Sequence, residues 1–214
     1  MAEPPETDFE AVYRTAPVIP WDLGEPQPAL AELVRSGWCR GDVLDIGCGP
    51  GELTLAVAAQ GHAVVGLDVS PRAVEIAAGR AADRGLDATF VQGDATELAG
   101  LTDRFDTVLD SGMLHCLRSA DQVRAVAAIR RACRAGARIA VLCFADRPGA
   151  RTPDGGRLTE ERLRELFSDW RIEALAPAPI LGVVRPGYGA ISEWPRDAAG
   201  RTPMDAWLLQ AHLS

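Results

Sequence analysis

Short apolar runs rich in branched residues alternate with longer stretches of helical pattern along most of the chain. Val43, Leu44 and Ile46, then Ala63 to Leu67, Thr89 to Gln92, Phe105 to Leu109 and Arg138 to Phe144 each read as a buried strand. Between them, Glu52 to Gln60 carries Leu53, Leu55, Ala56, Ala58 and Ala59 in a pattern that suits a helix. Ser70 and Pro71 are a fitting N-cap and first helical residue for a helix reaching about Arg84. Further helices are predicted over Ala29 to Val34, Ala120 to Arg134 and Thr159 to Phe167. Trp170 to Leu175 and Ala206 to His212 give a sixth and a seventh strand with no helix between them. Strands alternating with helices predict an α/β, doubly wound sheet with helices on both faces.

The start of the chain follows no such rhythm. Residues up to about Asp8 are polar and proline-rich, and a mobile segment is expected there. From Tyr13 to Pro28, four prolines and Gly24 exclude a continuous helix. Yet Tyr13, Ile19, Trp21 and Leu23 are too apolar for a free tail. An irregular segment that packs on something is the expectation.

Composition narrows the partners. A chain of 214 residues with 47% apolar and 24% charged content suits one domain, 1–214, with a substantial core. A net charge of −8 argues against a broad nucleic-acid or anionic-membrane surface. No apolar run approaches the roughly 20 residues that span a bilayer, and the acidic N-terminus lacks the pattern of a signal peptide. Cys39, Cys48, Cys116, Cys133 and Cys143 are odd in number, mostly within apolar segments and never spaced C-x-x-C. They read as buried free thiols, with no metal site, and the protein is expected in the cytoplasm.

The candidate chemistry sits in Asp42 to Glu52, where a strand runs into Gly47, Gly49 and Gly51 and then a helix. A dinucleotide-binding turn requires G-x-G-x-x-G. Here Gly51 follows Gly49 by two, and Asp45 lies inside the end of the strand. This resembles motif I, D/E-x-G-x-G-x-G, of the class I S-adenosylmethionine-dependent methyltransferases. The resemblance implies S-adenosyl-L-methionine as cofactor, Asp45 toward its methionine end, and Gly47, Cys48, Gly49 and Gly51 beneath it. Asp68 ends the second strand 23 residues after Asp45 and, with Val69 and Ser70, matches the acid that accepts both ribose hydroxyls. Asp94 and Ala95 match the turn that meets the adenine. Asp110, Ser111 and Gly112 match the motif facing methionine and substrate, with Asp110 a further candidate for catalysis. His115 is the only histidine close to a motif; it is either a base or a cofactor-contacting or helix-capping residue. The family sheet implies the strand order 3-2-1-4-5-7-6 with strand seven antiparallel.

The leading segment, Tyr13…Pro20-Trp21-Asp22-x-Gly24-x-Pro26-x-Pro28, resembles the thiopurine and thiol methyltransferase-like group and actinobacterial enzymes that methylate heterocyclic toxins. That implies a lid, residues 1–28, whose Tyr13 and Trp21 roof the active site, ahead of a cofactor-binding core at 29–145 and substrate-side elements at 146–214. A tryptophan packed on the first helix is the other reading. The Asp110-Ser-Gly-x-Leu-His115 stretch departs from the D/N-P-P-Y/F of DNA amino-methyltransferases. A small-molecule substrate is therefore expected between the leading segment, the loop after Phe144 and an excursion over 178–203 with Tyr188 and Trp194. The expected activity is methyl transfer to a small-molecule S, O or N nucleophile, by a monomer or weak homodimer. A protein or nucleic-acid methyltransferase and a non-catalytic cofactor-binding protein are the competing classes.

Overall fold

A computed structural model describes residues 7–153, 155–184 and 189–213. The expectations for residues 1–6 and for Tyr188 lie outside the described residues.

Seven strands form one sheet: β1 (Val43–Ile46), β2 (Val64–Asp68), β3 (Thr89–Gln92), β4 (Phe105–Ser111), β5 (Cys133–Phe144), β6 (Trp170–Gly182) and β7 (Thr202–Leu213). Their order is β3-β2-β1-β4-β5-β7-β6. The first five are parallel, and β7 runs antiparallel to both β5 and β6. The order reverses between β1 and β4, which opens a crevice beyond their carboxyl ends. All of β1 is buried, as its apolar run requires.

Among the described residues six α-helices complete the layers: α1 (Phe9–Thr15), α2 (Pro28–Arg35), α3 (Glu52–Ala59), α4 (Pro71–Arg84), α5 (Ser119–Ala132) and α6 (Glu160–Leu166). On one face, Leu44, Ile46, Val65 and Val141 pack with Val126 and Ile129 of α5 and Leu163 of α6. On the other, Val43, Val64, Leu109 and Leu142 pack with Leu30 and Val34 of α2 and Leu53 and Val57 of α3. Among the described residues no helix is long and apolar enough to cross a membrane.

Three stretches differ from expectation. The terminal hairpin is longer: β6 continues to Gly182 and β7 starts at Thr202, so the 178–203 excursion shrinks to the residues between them, with a short 3₁₀ turn at Gly189–Glu193. Pro177 and Pro179 break a strand pattern, but β6 is the sheet edge, and a proline whose missing N–H would face solvent loses no ladder bond there. The helix end expected at Arg134 falls at Ala132, and β5 begins at once, with a register shift where Gly136 takes a positive φ of 75°. Tyr13 belongs to a helix rather than an irregular segment. The Asp8 carboxylate caps α1 by accepting the Ala11 amide at 3.0 Å, and the helix ends before Pro17.

Candidate active site

The three glycines of the turn after β1 are required for different reasons. A Cβ at Gly47 would stand 2.4 Å from the Met113 Cβ, and one at Gly51 2.8 Å from the Ala77 Cβ of α4. Those two glycines let the chain pack on itself. A Cβ at Gly49 would instead meet the Tyr13 hydroxyl at 2.9 Å, so this glycine faces the space beneath the leading segment.

Carboxylates tie the turn to the strand ends. Asp68 accepts the Gly49 amide at 2.8 Å through Oδ2 and the Ser70 amide at 2.9 Å through Oδ1. It thereby links the β1 turn to the end of β2. Burial pushes its carboxyl above the ordinary range, against the pull of those amides. Ser70 caps α4 by accepting the Ala73 amide at 3.1 Å. Val69, between them, is 58% exposed. Asp45 is fully buried; its Oδ2 accepts the Thr54 hydroxyl at 2.5 Å, while Oδ1 has no partner. Burial raises Asp45 to about 7.

Asp110 also stands at about 7 through burial. It accepts the Met113 and Leu114 amides at 2.7 and 3.0 Å, and so builds the 3₁₀ turn that carries His115. That makes it a turn-former rather than a group open to substrate. His115 lies 4.3 Å from the Phe144 ring, and its Nδ1 accepts the Phe144 amide at 3.2 Å. Burial lowers it to about 3. At neutral pH it is an uncharged imidazole with its proton on Nε2, too weakly basic to take a proton from a nucleophile.

The remaining candidates are less enclosed. Asp94 is exposed and caps its own turn by accepting the Thr96 amide at 2.7 Å, with Ala95 half-buried beside it. Ser111 and Gly112 are half-buried, and the Gly112 carbonyl accepts the Cys116 thiol at 3.2 Å. Cys48 is buried in the glycine turn, its thiol raised by burial. Trp194 packs on the α2 and α3 side of the sheet.

Residues 7–27 form a strap across the carboxyl edge of the sheet. At one end, Glu10 accepts the Ser70 hydroxyl at 2.5 Å and the Arg72 amide at 3.1 Å, capping α4 from outside. In the middle, the Trp21 indole N–H donates to the Tyr13 hydroxyl at 2.9 Å, and Trp21 meets the rings of Phe9 and Tyr13 edge-on at 5.8 and 5.9 Å. Tyr13 is buried as expected. Trp21 is not: it is 38% exposed, on the outer side of the aromatic group. At the far end, Gln27 exchanges two 2.8 Å hydrogen bonds with the backbone of Leu181, and the Val183 amide donates to Pro20 at 2.7 Å. Sequence reasoning missed Phe9, Glu10, Gln27, Thr54 and Arg80. For Phe9 a signal existed, since Phe9 and Tyr13 share a helix face behind the Asp8 cap.

Residues 43–136 match the sequence profile of the methyltransferase domain family. Over 225 aligned residues the chain is 35% identical to the 2-heptyl-1-hydroxyquinolin-4(1H)-one methyltransferase of Mycobacteroides abscessus, with 99% of each chain covered. The chain belongs to the class I S-adenosylmethionine-dependent methyltransferases. A structure determined for the conversion of a disulfide bond into a thioacetal group during echinomycin biosynthesis superposes on this methyltransferase with a TM-score of 0.82. It is 36% identical and covers 96% of this chain and 91% of its own. The 1,6-didemethyltoxoflavin N1-methyltransferase of Burkholderia thailandensis, solved with its substrate and S-adenosylhomocysteine, shares the fold at a TM-score of 0.67 and 23% identity. That likeness covers 97% of this chain and 86% of the other.

The cofactor of this methyltransferase is S-adenosylmethionine, and its residues suit that group. A buried carboxylate oxygen with no protein partner, Asp45 Oδ1, calls for a donor such as an ammonium. A Cβ at Gly49 would press on the Tyr13 hydroxyl at 2.9 Å, so the turn presents bare backbone beneath the strap.

Proposed function

We propose that this methyltransferase acts on a small heteroaromatic or thiol acceptor, bound beneath the strap and beside Phe144 and His115. The observation that carries the reading is the strap itself. It crosses the carboxyl edge with Tyr13 directly above Gly49, which suits a compact acceptor in an enclosed site. The hydroxyquinolinone substrate named for the full-length relative from Mycobacteroides abscessus supports the same class. A net charge of −8 and the lack of a D-P-P-Y motif support no role for nucleic acid. Five free cysteines suit a cytosolic protein.

When bound, S-adenosylmethionine supplies a methyl group already activated by its sulfonium. This chain's own residues would hold and shield it. Asp45 Oδ1 accepts a cationic donor, Asp68 with its amide-fixed oxygens is oriented for hydroxyl groups, and Ala95 lies in the turn suited to the adenine. Tyr13 and the Phe9–Trp21 pair exclude water, which strengthens every polar contact in the site. Catalysis then rests on position: the strap and the walls beside Phe144 and His115 would hold the acceptor against the transferable methyl group. His115, held near 3, and the Cys116 thiol, raised to about 12, are not the base. The acceptor arrives ionised or loses its proton to water.

The test is incubation with S-adenosylmethionine and a panel of hydroxyquinolinones, phenols and thiols, with methylated products read by mass spectrometry across pH. We expect turnover to rise with the ionisation of each acceptor, and His115→Ala to remain active. Methylation of protein or nucleic acid alone, or a single enzyme pKa shared by all acceptors and lost in His115→Ala, would overturn the reading.

A further inference from the structure

The strap is held to α4 at two places about 12 Å apart along the helix axis. One is the Glu10 cap at Ser70 and Arg72. The other is Arg80, which joins three parts of the molecule. Its Nη2 donates to Asp22 Oδ2 at 2.6 Å and its Nη1 to Asp22 Oδ1 at 3.1 Å, a two-pronged grip on the strap. The same Nη1 donates to Glu52 Oε1 at 2.9 Å and reaches the Pro50 carbonyl at 3.4 Å. Pro50 lies between Gly49 and Gly51, and Glu52 opens α3. Arg84 holds the other side of Glu52 at 2.7 and 2.9 Å. The group is sheltered, with side-chain exposures of 26% for Arg80, 15% for Asp22 and 10% for Glu52. Fork-shaped contacts of this kind carry geometry as well as attraction.

The far end of the strap is held by the neutral amide bonds of Gln27 to Leu181 of β6 and of Val183, just past β6, to Pro20, with an exposed Glu25–Arg201 ion pair beside them. A ligand that must pass beneath Tyr13 needs the strap to lift at one end. The charged contacts on α4 can be exchanged for water, whereas the buried Gln27 bonds would leave orphaned backbone groups. The opening end is therefore the α4 end.

We propose that Arg80 is a positioning residue for methyl transfer, a latch that joins the strap through Asp22 to the glycine turn through Pro50 and Glu52. Closing the roof and fixing the cofactor cradle then become one event. The inference rests on the reading that the strap covers the cofactor. Arg80 touches neither reacting atom; it acts through Tyr13 and the glycine turn.

Its test uses the full chain and S-adenosylhomocysteine. Association and dissociation rates come from stopped-flow fluorescence of the tryptophans, and strap closure from protease cleavage within residues 14–25. In wild type the ligand should slow cleavage. Arg80→Ala and Asp22→Asn should each raise the dissociation rate about tenfold or more and leave the strap cleavable with ligand present. The double variant should be no worse than Arg80→Ala alone, because Arg80→Ala already removes the contact that Asp22→Asn removes. Arg80→Lys, which keeps the charge and loses the fork, should fall between. Should Arg80→Ala fail to fold, Asp22→Asn carries the test, since it leaves the Arg80–Glu52 pair in place. Dissociation rates within about twofold of wild type with unchanged protection and only a lowered melting temperature would make Arg80 a structural brace and overturn the latch. Failure of wild type to bind S-adenosylhomocysteine would instead overturn the cofactor site on which it rests.

Discussion

The floor and the roof of the site are built on different principles. The floor is made where the carboxyl ends of β1, β2 and β4 lie side by side. Its contacts are backbone amides to carboxylates held by sheet register, as between Gly49 and Asp68 or Met113 and Asp110. The roof is made by a segment with one short helix, fixed by side chains to residues far along the chain: Glu10 to Ser70, Asp22 to Arg80, Gln27 to Leu181. A floor held by register is formed before any ligand arrives. A roof held by side-chain ion pairs and aromatic edges, which water can replace, opens at lower cost than the floor. An enzyme that must admit a cofactor and then exclude water needs one of each.

The largest effect should come from the point where floor and roof meet. Gly49 has φ of +51°, and a side chain there would both strain the turn and push on Tyr13. Gly49→Val should weaken S-adenosylhomocysteine binding by more than about 100-fold. Gly51→Val, in contrast, should mainly lower the melting temperature, because its clash is with Ala77 and Phe90 in the core. Calorimetry on the two variants breaks the comparison if Gly49→Val binds as well as wild type.

Next is Asp68, where floor chemistry and floor structure coincide. Losing charge-assisted hydrogen bonds to a ligand should cost about 10- to 1,000-fold in affinity for Asp68→Ala. The structure adds that this variant also strands the Gly49 and Ser70 amides, so a lower melting temperature should accompany the loss. Asp68→Asn keeps an acceptor and should recover most of the stability but little of the affinity. Recovery of both together would mean that Asp68 only holds the turn.

The floor was readable from the sequence because its determinants are local. A strand, a glycine turn and an acid at a strand end announce themselves within a few residues of one another, and Asp45, Asp68 and Asp110 all arrive at one edge. What Asp110 does there was not readable, since its two amide partners depend on the turn after β4. The hairpin was cut short because Pro177 and Pro179 oppose a strand everywhere except at an edge. The strap was readable as a segment needing a partner, not as to which one. Nothing near Arg80 in the chain marks it apart from any other helix arginine; its meaning comes from Asp22, brought over by the fold.

The smallest effect concerns Asp45 and the direction of a pH dependence. Burial raises its carboxyl from 3.8 to about 7, and Oδ1 has no hydrogen-bond partner in the protein. Below pH 3.8 native and unfolded chains both hold the proton, and Asp45 favours neither. Between 3.8 and about 7 the unfolded chain has released it while the native chain retains it, so rising pH favours unfolding. Above about 7 both are ionised and the penalty stays constant. The melting temperature of the free protein should therefore fall as pH rises from 5 toward about 7, and part of that slope should vanish in Asp45→Asn. Asp110, also raised to about 7, supplies a further part, and Thr54 limits the rise by donating to the ionised form. A ligand ammonium beside Oδ1 reverses the preference by stabilising the carboxylate. S-adenosylhomocysteine should then bind a few-fold more tightly at pH 7.5 than at pH 6, where its own amine is charged throughout. In Asp45→Asn that gain should be absent, leaving weaker binding that barely changes with pH. An equal gain in both proteins would place the ammonium elsewhere and leave Asp45 a buried acid of the fold alone.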